Sequence, residues 1–309
     1  MTQAPRHFLT LQDLSSAELN TILDNAEELK RLRGESAHPC NLSGKSVILL
    51  FEKASTRTRI SFETGIHELG GKSITLLGKD IQLGRGESIE DTARMFSRYA
   101  HAVMFRTSTH DRLETLANMS SIPVINGLTD RCHPCQLLAD LMTVREAFGA
   151  DLQSRKVAWI GDGNNMSYSW MQAAALLGFS LHIASPTNYT LAPADVAQAR
   201  AQNPKIVVDQ DISAALKDAD VVTTDVWASM GQEDETQLRQ EAFKDYCVDQ
   251  NRMAQAKDSA IFLHCLPAHR DEEVTAEVID GPQSRVWVQA ENRLHAQKAL
   301  LFWLFHQCQ

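Results

Sequence analysis

SVILLFEKASTRTRISFETGIHEL, residues 46–69, passes from a strand-like apolar run into a helical run through a turn built of hydroxyls and arginines. Five of the first six residues are apolar and β-prone, whereas Ile60, Phe62, Ile66 and Leu69 recur at helical spacing. A strand that feeds a helix start leaves backbone N–H groups unpaired at one spot, with the positive end of the helix dipole behind them. Such a spot attracts anions. The hydroxyls of Ser55, Thr56 and Thr58 add donors, and Arg57 and Arg59 add planar forks that match a phosphate. A capped helix start with solvated arginines is the plainer reading of any such turn. Two arginines interleaved with three hydroxyls at a strand end favour a phosphate site.

The same strand-to-helix alternation continues in both directions. SITLL, AVMFR and PVINGL read as further strands of the first half, with a helical run through Ile89, Ala93, Phe96 and Ala100. PCQLLADLMTVREAF opens a helix with proline near its first turn. VAWIG, SLHIAS, KIVVD, DVVTTDVW and AIFLHC are the strands of the second half. The pattern predicts an α/β protein of two open parallel-sheet domains joined by interdomain helices. FGADLQSRK marks the boundary, giving domains 1–148 and 149–290, and the amphipathic ENRLHAQKALLFWLFHQ forms a closing helix over 291–307.

A chain of 309 residues accommodates two such domains. Its 43% hydrophobic and 22% charged residues are those of a soluble globular protein. No apolar run approaches the roughly 20 residues of a membrane helix. The first thirty residues hold acids and lack an apolar signal core, so a cytoplasmic protein is expected. A net charge of −9 argues against nucleic-acid binding and makes any phosphate site depend on local donors. Of six cysteines, Cys132 and Cys135 form a CxxC, but no second pair accompanies it, and adjacent Cys132 and His133 are badly placed to share one metal. No metal is expected.

Two nucleotide motifs nearly occur. GDGNNM follows a strand, yet Met166 replaces the third glycine of the dinucleotide fingerprint, and no acid ends the next strand. GIHELGGKS has the wrong spacing for a phosphate loop and reads as a helix ending at Gly70 and Gly71. HPCQ (133–136) and HCLPAHR (264–270), by contrast, each follow an apolar run at a strand end. Together with FEKASTRTRISFE they resemble the transcarbamoylase family, and DGNNM (162–166) and DVWASMGQE (225–233) are similar to its ornithine branch. The likeness runs from RHFL to ENRLHAQKALL, nearly the whole chain.

That resemblance implies transfer of the carbamoyl group from carbamoyl phosphate to L-ornithine, giving L-citrulline and phosphate, with no cofactor or metal. It implies that Ser55, Thr56, Arg57 and Thr58 hold the phosphate and that Arg106 bridges phosphate and carbonyl. His133 would donate to the carbonyl oxygen as negative charge develops there, and Gln136 with the carbonyls of Cys265 and Leu266 would receive the NH₂. Arg293 would approach the carbamoyl group, and Cys265 would lie near the reacting amine. For ornithine, Asn165 suits the carboxylate, Asp225 with Ser229 the ammonium, and Met230 and Gly231 belong to a closing loop. The closing helix would pack back on the first domain. Family members are trimers or multiples of trimers, and Gln82 would reach into the neighbouring subunit's carbamoyl phosphate site.

Aspartate as acceptor would call for cationic groups where Asp225 stands. Acetylornithine and putrescine fit the DVWASMG segment less well. A non-catalytic phosphate-binding or thiol–metal protein would leave Arg106, Gln136, Asp225 and Arg293 without a shared task.

Overall fold

A computed structural model describes residues 5–228 and 235–306, so Ser229, Met230 and the rest of the SMG turn lie outside the described residues. The chain divides into two compact units, Met1–Met142 with Glu291–Gln309, and Thr143–Ala290.

In the first unit, α1 (Ser16–Arg31) opens with a capping box in which the Ser15 hydroxyl accepts from Glu18 N–H and the Glu18 carboxylate accepts from Ser15 N–H. There follow β1 (Ser46–Phe51), α2 (Thr56–Glu68), β2 (Lys72–Leu77), α3 (Ile89–Tyr99), β3 (Ala102–Arg106), α4 (His110–Met119), β4 (Val124–Leu128) and α5 (Pro134–Phe148), whose residues from Thr143 onward belong to the second unit. The strands pair in parallel in the order β2-β1-β3-β4. Ile48 and Leu50 pack with Phe96, Phe105, Leu113 and Leu116, while the alternate residues Val47 and Leu49 are also fully buried. Both faces of the sheet are therefore covered, as a continuous apolar strand requires. Each fully buried leucine or phenylalanine contributes about 1.5–3 kcal/mol.

In the second unit, β5 (Lys156–Ile160), α6 (Asn165–Leu177), β6 (Ser180–Ala184), α7 (Pro193–Gln202), β7 (Ile206–Asp209), α8 (Ile212–Leu216), β8 (Val221–Thr224), α9 (Thr236–Phe243), α10 (Gln250–Met253), β9 (Ile261–His264) and α11 (Ala276–Ile279) follow in turn. The parallel sheet has the order β7-β6-β5-β8-β9. The last helix, α12 (Val286–His306), carries the chain out of this unit, and its residues from Glu291 onward belong to the first.

Within the first unit α12 lies close against α2. Lys298 is wholly buried, and its Nζ donates to Glu68 Oε2 at 2.7 Å. Gly65 permits the approach, because a Cβ there would stand 2.9 Å from Lys298 Cγ.

Strand order also fixes where each unit can bind a ligand. Connections in an open sheet diverge where the order reverses, and a crevice opens at the carboxyl ends of the two strands concerned. In the first unit those strands are β1 and β3, which end at the STRTR turn and at Arg106. In the second they are β5 and β8, which end at Gly161–Asn164 and at Asp225.

Candidate active site

At the first crevice, Ser55 caps α2 by accepting from Thr58 N–H at 3.3 Å, and its hydroxyl proton remains a donor. Glu52, just past β1, accepts from the Thr107 hydroxyl and pairs with Arg112, tying the ends of β1 and β3 together. The β3–β4 pairing slips by one residue at Phe105/Arg106, a shift that redirects the side chain at the strand end. Arg106 NH1 lies 3.5 Å from Thr58 Oγ1, which also accepts from Arg293 NH2 at 3.2 Å. With both contacts accepted by its oxygen, the Thr58 hydroxyl keeps its own proton to donate.

His133 directly precedes α5, and its carbonyl accepts from Gln136 N–H at 3.0 Å. The imidazole is 5% exposed. Burial, then the guanidiniums of Arg293, Arg106 and Arg57, hold its pKa well below the ordinary histidine value. It is a neutral ring at neutral pH and can serve as an N–H donor rather than an acid. Gln136 is fixed from both ends: its Oε1 accepts from Arg293 NH1 at 2.5 Å, and its Nε2 donates to buried Asp140 at 2.8 Å. One lone pair of Gln136 Oε1 remains for another donor. Three guanidiniums gathered around one buried neutral ring, in a chain of net charge −9, make a local anion site.

The second crevice has the opposite polarity. Asp225 follows β8 and is 7% exposed. Its Oδ1 accepts from Val226 N–H at 2.9 Å and from the Cys265 thiol at 3.1 Å, and its Oδ2 accepts from Asn164 Nδ2 at 2.9 Å. A carboxylate offers about four acceptor positions, so among the described residues one is left for a further donor. Asn164 is the N-cap of α6, accepting from Met166 N–H at 2.9 Å and Ser167 N–H at 3.2 Å, and Asn165 is the first helical residue. Gly163 is required there, because a Cβ would meet the Thr190 backbone at 2.5 Å. Asp162 is pushed up to about 6 by burial, against the pull of Arg239 and with the help of Asp225. Arg239 NH1 donates to Asp162 at 3.1 Å and to Trp227 O at 2.9 Å, and its Nε donates to Glu235 at 3.0 Å. One guanidinium thus grips both Trp227 and Glu235.

Cys265 and Leu266 follow β9, with Leu266 in the left-handed region at φ +56°. A leucine held there is strained, which happens where surrounding contacts fix the chain. His264 provides one such contact. Its Nδ1 accepts from Leu266 N–H at 2.9 Å, so the ring proton sits on Nε2 and is donated to Glu273 Oε1, 3.1 Å away. Asp225, His264 and Cys265 stand close enough to share a metal, but His264 has both ring nitrogens engaged. Cys132 and Cys135 are buried structural thiols, both pushed up to about 12 by burial, with Cys135 donating to Asn126 O at 3.2 Å.

Residues 6–146 match the carbamoyl-P binding domain of aspartate/ornithine carbamoyltransferases, and residues 153–304 match the Asp/Orn binding domain. The chain belongs to the aspartate/ornithine carbamoyltransferase family. An ornithine carbamoyltransferase from Halorhodospira halophila is 54% identical over 97% of this chain and 98% of its own. Among solved structures, the ornithine carbamoyltransferase from Pyrococcus furiosus is 45% identical with a TM-score of 0.92, covering 97% of each chain. An anabolic ornithine carbamoyltransferase from Campylobacter jejuni is 42% identical with a TM-score of 0.92, covering 98% of this chain and 99% of its own. The family's two domain types coincide with the two polarities seen here: arginines at the first crevice, carboxylates at the second.

The structure brings Thr58, Arg106, Gln136 and Arg293 into direct contact, with Arg57 and His133 alongside. Arg59 departs from the sequence expectation. It pairs with Glu63 one turn on at 2.9 Å, so its fork is directed along α2. Gln82 is exposed at the start of a short 3₁₀ turn, Gln82–Arg85. Asp140, Asp162, Asn164 and Arg239 were not foreseen. Of these only Asn164, an asparagine ahead of a helical run, carries a local signal.

Proposed function

We propose that this chain transfers the carbamoyl group of carbamoyl phosphate to the side-chain amine of L-ornithine, releasing L-citrulline and phosphate. The observation that carries the reading is the triad of guanidiniums around neutral His133. Arg57 and Arg106, with the Ser55, Thr56 and Thr58 hydroxyls, bind the phosphate, and Arg293 and Gln136 hold the carbamoyl group. The amine lone pair attacks the carbamoyl carbon. Charge then builds on the carbonyl oxygen, where His133 N–H and an arginine stabilise it, and the C–O bond breaks to release phosphate, which takes up the proton that the amine loses. A neutral imidazole still carries one N–H, which is the donor this task needs. Asp225 receives the α-ammonium, Asn165 the carboxylate, and the carbonyls of Cys265 and Leu266 are proposed acceptors for the carbamoyl NH₂. Ser229 and Met230 stay in the proposal on the family pattern alone. Asp225, whose partners among the described residues are all neutral donors, favours a cationic acceptor over aspartate.

The test is product formation with ornithine, aspartate, acetylornithine and putrescine in parallel. Citrulline from ornithine should dominate; faster carbamoylation of any other acceptor, or none at all, overturns the reading.

We further propose a role in arginine biosynthesis in the cytoplasm, as a homotrimer or a multiple of one. The likeness to the anabolic Campylobacter jejuni enzyme supports the first. Among the described residues no helix is long and apolar enough to cross a membrane. Exposed Ile60 on α2 and Ile74 on the edge strand β2 support an assembly contact, as does exposed Gln82. If each site takes Arg57 from one chain and Gln82 from the next, Arg57→Gly and Gln82→Ala homotrimers should both be poorly active. Mixed equally, dissociated and reassembled at random, about a quarter of sites would combine both intact residues, and activity should return. Confirmed mixing with no recovery would exclude a shared site.

A further inference from the structure

Arg293 touches Gln136 through NH1 and Thr58 through NH2, both from one edge of the guanidinium. Contacts along one edge set the position of a planar fork and leave its tilt to whatever meets the other edge. Gln297 meets it. This residue lies one turn beyond Arg293 on α12 and is fully buried. Its amide orientation follows from the neighbouring hydroxyl. Ser61 has a single proton, which it donates to Arg57 O at 2.7 Å or to Thr58 O at 3.2 Å, so toward Gln297 it can only accept. Gln297 Nε2 therefore faces Ser61 Oγ at 2.6 Å, and Oε1 faces Arg293 NH2 at 2.8 Å and Nε at 3.1 Å. The reverse orientation would set the amide NH₂ against the guanidinium, donor against donor.

The result is one continuous line of hydrogen bonds. It runs from the Arg57 carbonyl through Ser61 and Gln297 to Arg293, and on through Gln136 to Asp140. Every step lies within the first unit. The line joins the first turn of α2, which carries Arg57 and Thr58, to the one arginine that α12 contributes. Chains of this kind polarise one another and hold a single geometry only when every member is satisfied.

We propose that Gln297 is a positioning residue for carbamoyl transfer: it sets the tilt of the Arg293 guanidinium and couples it to the phosphate-binding turn. The inference rests on the carbamoyl phosphate reading of this half-site. It assigns Gln297 no contact with substrate, so its removal should be felt through carbamoyl phosphate and hardly through ornithine.

Steady-state kinetics of Gln297→Leu and Gln297→Glu beside the unmodified enzyme test this. Leucine keeps the bulk and removes all three hydrogen bonds. Glutamate keeps the acceptor for Arg293, while the Ser61 hydroxyl turns to donate to it and leaves the Arg57 carbonyl, so this variant separates the tilt of Arg293 from its coupling to the turn. For Gln297→Leu, kcat/KM for carbamoyl phosphate should fall roughly ten- to a hundredfold, the cost of misplacing a reacting group by about an ångström. The KM for ornithine at saturating carbamoyl phosphate should change by less than about twofold, as expected of an interaction outside that half-site. Gln297→Glu should lie much nearer the unmodified enzyme. Gln297→Met, unbranched and of similar length, carries the expectation of the leucine variant if that variant does not fold. Unmodified enzyme that makes no citrulline would refute the half-site reading itself. Active unmodified enzyme with a normal leucine variant, equal losses in the leucine and glutamate variants, or a loss falling equally on ornithine would refute only the role of Gln297.

Discussion

Arg57→Gly should all but abolish citrulline formation while leaving the chain folded. Arg57 sits on the first turn of α2, exposed, and close enough to buried His133 to help depress its pKa. A guanidinium in that place can make two parallel hydrogen bonds to a phosphate. Hydrogen bonds to charged groups are worth roughly 1.5–3 kcal/mol each, so losing two should lower kcat/KM roughly a hundred- to ten-thousandfold. The structural cost is small by comparison. A glycine in a helix costs about 1 kcal/mol, and an exposed first-turn site costs no more. The melting temperature should therefore drop by about 2–4 °C. Arg57→Ala removes even that ambiguity, and Arg57→Lys separates charge from geometry, since an ammonium keeps the first and lacks the fork. Removing one of the three cations should also let the pKa of His133 recover part of its depression, with burial still holding it low. A folded Arg57→Ala enzyme within a few-fold of normal kcat/KM would exclude Arg57 from the site.

The course of the strands was legible because parallel strands buried on both faces appear as short continuous apolar runs. SVILLF and AVMFR coincide with β1 and β3, and AIFLHC with β9 extended by one residue at either end. Helix starts were legible where a cap or a proline marks them, as at Ser55 and Pro134. The Ser15–Glu18 capping box ahead of α1 carries the same kind of signal. Which asparagine of the 164–165 pair caps α6 cannot be read locally, since either could precede the helix; the structure gives the cap, and the bond to Asp225, to Asn164. Arg59 illustrates a competing local rule. An arginine four residues before a glutamate on one helix face forms a pair, and here that rule prevails over the attraction of the phosphate turn. Asp162 meets Arg239 from within α9, 77 residues further along the chain, and Arg293 meets Gln136 from α12, so no spacing announces either. The CxxC of Cys132 and Cys135 suggests zinc or thiol chemistry only in isolation; burial pushes both thiols up to about 12, and Cys135 donates to a backbone carbonyl.

Asp225→Asn should weaken ornithine and spare carbamoyl phosphate. The carboxylate already receives Val226 N–H, the Cys265 thiol and the Asn164 amide, and an ammonium would complete it. An asparagine carries one acceptor oxygen and an NH₂ in place of the second. That NH₂ must face either Asn164 or Cys265, donor against donor, so the substitution removes a charge and also unsettles the crevice. Loss of one hydrogen bond between charged groups is worth roughly 1.5–3 kcal/mol, which is about a 10- to 150-fold rise in the KM for ornithine. Asp225→Ala, which leaves no mismatched donor, should show a loss at least as large and thereby separate charge from misalignment. The pH dependence offers an independent check. The attacking amine resembles that of lysine, with a free pKa of about 10.4, so only a small neutral fraction exists at pH 7 and the rate should climb toward alkaline pH in both enzymes. Measurement of each substrate's KM at fixed saturating levels of the other decides the matter. Normal ornithine KM in the variant, or a loss confined to carbamoyl phosphate, would mean that Asp225 does not hold the amino-acid substrate.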